Sequence, residues 1–318
     1  MACTTSGAAW PPASRSCRPR RRLRHRRSSG VGWRQLVERV DARALAYSCS
    51  ATYCHLAVPY PNFPGKHVGA PLVTPRRFLE YARASGQLVD FTAPTGVLLV
   101  YRRSLMAQLI RSQVAELLVQ FGSFALWRLP ATGGAVGLSG DFGIGGPIVS
   151  IIVEELVALG VKRFFSFGLA GGLQPEGRIG DIVLCTQAIR DEGVSHHYLP
   201  PEREAKPSAE FTEAIAQALR RRNARFLRGA TWTIDTPYRE TIDEVRHYRS
   251  EGVLTVEMEA AALFAVATVR GATAASAFVL SDLLGETEWT PEFSAENLND
   301  QLQLLADAGA EAITTFDG

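Results

Sequence analysis

The chain has 318 residues, 46% of them apolar, with 34 basic and 32 acidic side chains and a net charge of +2. That apolar share excludes a disordered chain, and no uncharged apolar run approaches the roughly 18 residues that span a membrane. Five cysteines (Cys3, Cys17, Cys49, Cys54 and Cys185) form no C-x-x-C pair, so free thiols are expected, with no metal site, in a cytoplasmic protein.

The charge is unevenly spread. Eight arginines and no acid fall in the first 30 residues. Removing their +8 from +2 leaves the remainder at −6, so the body needs no nucleic-acid partner. Residues 1–58 read as a basic N-terminal extension with a possible short helix over Trp33–Tyr47. Ordering its first 32 residues would cost backbone entropy with little apolar burial in return. A disordered tail, a misassigned start, a transit peptide and a basic nucleic-acid arm are all compatible with that composition.

Residues 59–318 read as one domain. Thr74-Pro75 looks like an N-cap followed by proline at the first helical position, which opens a helix over 76–85 closed by Gly86. Gly96–Tyr101 predicts a buried strand, and Leu105–Phe121 a long helix. Further strands are predicted over 134–138, 163–167, 182–188, 229–234, 253–256 and 274–280, and helices over 147–159, 208–221, 240–250, 257–269 and 294–313. Strands alternating with helices of this length imply an α/β sheet covered on both faces.

Three segments are too polar or too rich in glycine for plain scaffold, and each is expected at a strand end, where α/β sheets collect ligands. The first is Gly140-Asp-Phe-Gly-Ile-Gly-Gly-Pro147, a close backbone approach at a helix N-terminus that favours an anion. Its spacing is neither G-x-G-x-x-G nor a P-loop. The second is Phe167-Gly-Leu-Ala-Gly-Gly-Leu173, followed by Gly180-Asp181 and the polar run Arg190–Tyr198, which holds His196 and His197. The third is Val256-Glu-Met-Glu-Ala260 with Phe278-Val-Leu-Ser-Asp282. A carboxylate accepts hydrogen bonds from two vicinal hydroxyls, so the Glu257/Glu259 pair suggests a sugar. Asp282, closing a buried strand, is a candidate general acid.

Taken in order, Gly143-Ile-Gly-Gly-Pro147, Gly168-Leu-Ala-Gly-Gly172, Gly180-Asp181, Val256-Glu-Met-Glu-Ala260 and Ser281-Asp282 resemble the nucleoside phosphorylases, the family of purine nucleoside and uridine phosphorylases. The resemblance implies a three-layer α/β fold with a mixed, partly closed central sheet flanked by helices. It implies phosphate-dependent cleavage of a nucleoside's N-glycosidic bond to free base and ribose 1-phosphate, with purines favoured and uridine possible. No cofactor is implied beyond phosphate as co-substrate, and a dimer-based homo-oligomer, up to a hexamer, is expected. Glu259 and Asp282 would be catalytic, and Glu257, Met258 and Glu259 would hold the ribose. Gly143, Gly145, Gly146, Ser166 and Gly168 would hold phosphate, and Ala170, Gly171 and Tyr238 the base. Leu169 and Ser166 stand where many members carry a threonine and an arginine that contact phosphate. Lys66, Arg102, Arg103, backbone N–H groups or a neighbouring subunit are the possible substitutes. That departure keeps two alternatives open: a hydrolytic nucleosidase, or a non-catalytic nucleoside binder.

Overall fold

In the computed structural model of the chain, the described residues are 66–122, 124–201 and 203–317. The extension 1–58, its possible helix and four of the five cysteines lie outside them. Residues 75–84 show how local sequence sets the elements. Helix α1 (Pro75–Ala84) starts with proline in its first turn, and the Thr74 hydroxyl accepts from the Arg77 N–H. Gly86, at φ 71°, takes the left-handed turn beyond its end.

Strand β1 (Gly96–Val100) follows, buried throughout, and then helix α2 (Arg103–Ser112). Here the expected long helix fails. The chain turns at Val114, which has φ 48°, and re-emerges as strand β2 (Glu116–Phe121). This pairs antiparallel with strand β3 (Phe124–Arg128), and the Arg128 guanidinium bonds Glu116 across the pair. Pairing with β3 outweighs the helical spacing of the apolar residues, a tertiary override of a local pattern.

Strand β4 (Val136–Gly140) leads through the glycine turn into helix α3 (Gly146–Leu159). Strand β5 (Arg163–Gly172) is followed by strand β6 (Ile182–Asp191), the short turn α4 (Ser195–Tyr198) and helix α5 (Ala209–Arg221). Strand β7 (Phe226–Ile234), helix α6 (Ile242–Ser250), strand β8 (Thr255–Glu257) and helix α7 (Ala260–Arg270) come next. Strands β9 (Thr273–Leu284) and β10 (Trp289–Pro291) and helix α8 (Asn297–Thr315) complete the described order. Gly168–Gly172, expected in a loop, is strand: its residues keep register with Phe278–Leu283 of β9. The sequence pattern stops short there because glycine and alanine carry no β signature.

The sheet runs β10-β9-β6-β7-β8-β5-β1-β4-β3-β2, and β9 pairs again with β5. That second pairing closes β5, β8, β7, β6 and β9 into a ring, the mixed and partly closed sheet that the resemblance implies. Alternation along β1 shows the layering. Val97 and Leu99 join a core with α1, α3 and α7, whereas Leu98 and Val100 join one with α2, α5 and α8. A smaller core around Trp232, Val245, Val256 and Leu284 fills the space under α6. Among the described residues, no helix is long and apolar enough to cross a membrane.

Candidate functional site

Helix α7 is alanine-rich, and its residues from Ala260 to Ala267 are buried. Its start therefore depends on polar groups that cap it. Glu257, at the end of β8, supplies them. One of its carboxylate oxygens accepts from the Glu259 and Ala260 N–H groups, both at 2.8 Å. The other accepts from the Thr233 hydroxyl at 2.5 Å, and Thr233 Oγ1 in turn accepts from the Ala261 N–H. Both oxygens of Glu257 are thus engaged in holding the helix N-terminus. The pair Glu257–Glu259 is buried. Burial pushes both carboxyls up, and the charge of Glu257 adds to the rise at Glu259.

Glu259 sits one residue ahead of α7 and reaches the glycine turn, where its Oε1 accepts from the Gly145 N–H at 2.5 Å. Gly145 has φ 102°, a backbone that glycine takes without strain. Ser166, inside β5, is buried, and its Oγ lies 2.9 Å from the Tyr101 hydroxyl. The Tyr101 ring packs over Gly168, its Cδ2 only 3.2 Å from where a side chain on that glycine would begin. It also stands edge-on to Phe142, with centroids 5.5 Å apart. Burial pushes the Tyr101 phenol up, and the Glu259 charge adds to this.

Asp282 lies two residues inside the end of β9, opposite Gly171 on β5 and Pro291 on β10. Its Oδ1 accepts from the Ser281 hydroxyl at 2.7 Å and its Oδ2 from the Trp289 indole N–H at 2.8 Å. Glu240 faces the same space. Burial and then the Asp282 charge raise its carboxyl to about 7.

These parts line one cavity of about 740 Å³, within the usual range for a small-molecule site. Of the residues singled out from the sequence, Gly168, Ala170, Gly171, Tyr238, Glu257, Met258, Glu259 and Asp282 line it together. Gly143, Gly145, Gly146 and Ser166 do not reach its wall. Tyr238 is almost wholly exposed at the rim. Leu169 and Arg102 also line the cavity, whereas Arg103 is held by Asp141. Lys66 lines a different cavity, with Ser150, Glu155 and Arg270.

Sequence reading missed Tyr101, Glu240, Trp289 and Phe293 as cavity residues. Tyr101 carries a usable signal, since a phenol directly after a run of buried aliphatics needs a polar partner. The three-residue β10 that brings in Trp289 offers no periodicity to detect. Within the polar run Arg190–Tyr198, Arg190 and Glu192 serve as scaffold, and Gly193, Val194, His197 and Tyr198 line the cavity that holds Lys66. Arg190 bonds the Ser195 hydroxyl and the Leu199, Pro200 and Arg203 carbonyls, while Glu192 caps the N–H groups of Val194 and Ser195.

Comparison with known proteins bears on this arrangement. The sequence profile of the Phosphorylase superfamily matches residues 117–315. The chain is 35% identical over 162 residues to a uridine phosphorylase of Escherichia coli (strain K12), covering 46% of this chain and 64% of that one. It is 34% identical over 143 residues to a uridine phosphorylase of Haemophilus influenzae, covering 41% and 57%. It is also 34% identical over 129 residues to a guanosine phosphorylase of Halorubrum lacusprofundi, covering 41% and 54%. The aligned stretches thus span between about half and two thirds of these relatives' lengths.

Proposed function

The chain belongs to the phosphorylase superfamily, and on that footing we propose that it is a nucleoside phosphorylase, cleaving the N-glycosidic bond and passing the pentose to inorganic phosphate. The observation that carries this reading is the shared cavity of Glu259, Met258 and Asp282, with apolar walls from Phe278, Leu284 and Trp289 between them. As the bond breaks, positive charge develops on the pentose ring and negative charge on the base. Glu259 is suited to the first, accepting hydrogen bonds from the pentose hydroxyls beside the developing cation, with Met258 against the sugar. The base end must supply a proton or a hydrogen bond to the leaving group. Asp282 and Glu240 stand there, and Glu240, raised to about 7, keeps a proton to near neutral pH.

The same two carboxyls bear on the base. Uracil presents two carbonyls flanking one N–H, and carbonyls need donors. The Trp289 N–H is spent on Asp282, but the Arg102 guanidinium and the acid form of Glu240 on the cavity wall can supply them. The reading is therefore uridine, supported by the names of the relatives in Escherichia coli and Haemophilus influenzae. A purine nucleoside of the guanosine type is the second reading, because the N–H and amino group on one guanine edge suit carboxyl acceptors. Assembly as a homo-oligomer belongs to the same reading, and light scattering on the full chain tests it.

The test incubates the purified protein with guanosine, inosine, adenosine and uridine, with and without phosphate, and quantifies the freed base by chromatography. Faster release from uridine than from guanosine or inosine is expected. A preference for guanosine or inosine would overturn the uridine reading, and no release from any of the four would count against cleavage itself.

A further inference from the structure

Of the groups that the resemblance assigns to phosphate, Ser166, Gly168 and Gly145 are turned to other uses. The Ser166 hydroxyl is paired with Tyr101. Gly168 is covered by the Tyr101 ring. The Gly145 N–H is given to Glu259, and a side chain on Gly146 would run into Val194, Ala262 and Glu192. Among the described residues, Arg102 is the one cation on the cavity wall, against Glu240, Glu257, Glu259 and Asp282. A dianion entering this space meets an aromatic plug and a surplus of acidic side chains, and among the described residues it finds no ring of side-chain donors.

We infer that Tyr101 is the residue that selects the acceptor: phosphate must lift its hydroxyl from Ser166 and its ring from Gly168, so phosphate binds weakly and water competes for the same pentose carbon. This inference rests on the proposed cleavage of a nucleoside. With phosphate, an oxygen of HPO₄²⁻ bonds to C1′ as the C1′–N bond breaks. The base leaves with that electron pair and takes up the proton released by the acceptor, giving pentose 1-phosphate and free base. With water, the water oxygen bonds to C1′, one of its protons ends on the base, and the products are free pentose and base. Each balance closes without an oxidant or any further reactant.

The packing separates two contributions. Tyr101→Phe keeps the ring over Gly168 and releases the Ser166 hydroxyl. Tyr101→Ala removes the ring as well and opens the floor beside Gly168. If Tyr101 is the specificity-determining residue, phosphate binding improves slightly in the first and strongly in the second.

The experiment follows both pentose products across a phosphate series, using the nucleoside that releases base fastest. In parallel, calorimetry measures inorganic phosphate binding to the full chain and to both variants, with circular dichroism confirming that each is folded. The wild type is expected to make free pentose alongside pentose 1-phosphate. Tyr101→Ala is expected to lower the phosphate KM about tenfold or more, the worth of a restored charged hydrogen bond, and to shift the products toward pentose 1-phosphate. Tight phosphate saturation in the wild type, with no improvement in Tyr101→Ala, would overturn the inference while leaving nucleoside cleavage standing. If no nucleoside releases base, the cleavage reading fails, and the calorimetry still decides about Tyr101. Tighter phosphate binding by Tyr101→Ala supports its role, whereas equal or weaker binding removes it.

Discussion

Glu240 shows how the surroundings of a cavity carboxyl set its protonation. Asp282 accepts from both Ser281 and Trp289, while Glu240 is half-buried next to the Asp282 charge and is lifted from 4.5 to about 7. Its acid form therefore persists up to that pH and is lost above it. If Glu240 protonates the leaving base, kcat falls as pH rises through about 7, and Glu240→Gln flattens that limb while lowering kcat by about 10²-fold. A kcat profile from mildly acidic to alkaline pH checks this; an unchanged limb in the variant would assign it to another group. Glu259→Gln keeps the side-chain shape but replaces one carboxyl oxygen beside the pentose with an amide donor. It is expected to cost about 10²-fold in kcat/KM, mostly in kcat, as read by steady-state kinetics.

At the scale of elements, the β8–α7 junction carries the site. Glu257 holds the first turn of α7, and Thr233 on β7 holds Glu257. Removing the Thr233 hydroxyl leaves a buried carboxylate and the Ala261 N–H each short of a partner. Thr233→Val, nearly the same size, is therefore expected to destabilise by about 1–3 kcal/mol, measured by urea unfolding. It should also weaken activity, because Glu259 moves with the helix start. Loss of stability with activity intact would separate the cap from the site. The same junction explains why Glu257 and Glu259, so alike in sequence, differ in use. Strand alternation ends at Glu257, and Glu259 already belongs to the turn facing Gly145.

Across the whole molecule, ring closure depends on small residues where β5 serves two partners. At Gly171, an added Cβ would fall 2.4 Å from Leu284 and 3.0 Å from Val256. Gly171→Ala is therefore expected to destabilise by about 1–3 kcal/mol, and adding Leu284→Ala should recover part of that loss, as a double-mutant unfolding cycle would read. On the α3 face, Glu155 is buried, with one oxygen lacking a partner among the described residues, and burial raises its carboxyl from 4.5 to about 7. The folded state binds this proton more tightly than the unfolded state does. Its stabilising contribution is thus full below about 4.5 and is lost as pH rises through about 7. Glu155→Gln should raise the melting temperature at pH 8 and change it little at pH 4.5, as calorimetric melts at the two values would show.

Much of this architecture was legible in the residues themselves. The cap at Thr74, the apolar runs of β1 and β9 and the alanine face of α7 are local features, and local propensity and burial point the same way there. The Val256–Ala260 and Ser281–Asp282 segments stood out because paired acids after buried strands are costly unless something uses them. What the linear pattern could not carry is who meets whom. The β2–β3 hairpin replaced a helix because its partner strand was near. Gly168–Gly172 became strand because β9 and β8 lie on either side. Tyr101 came to rest on Ser166, 65 residues away, and Trp289 on Asp282. Residue type and spacing determined the elements and the acids at their ends. Only tertiary contact decided which hydrogen bonds those acids were already making, and so which groups remain available to a ligand.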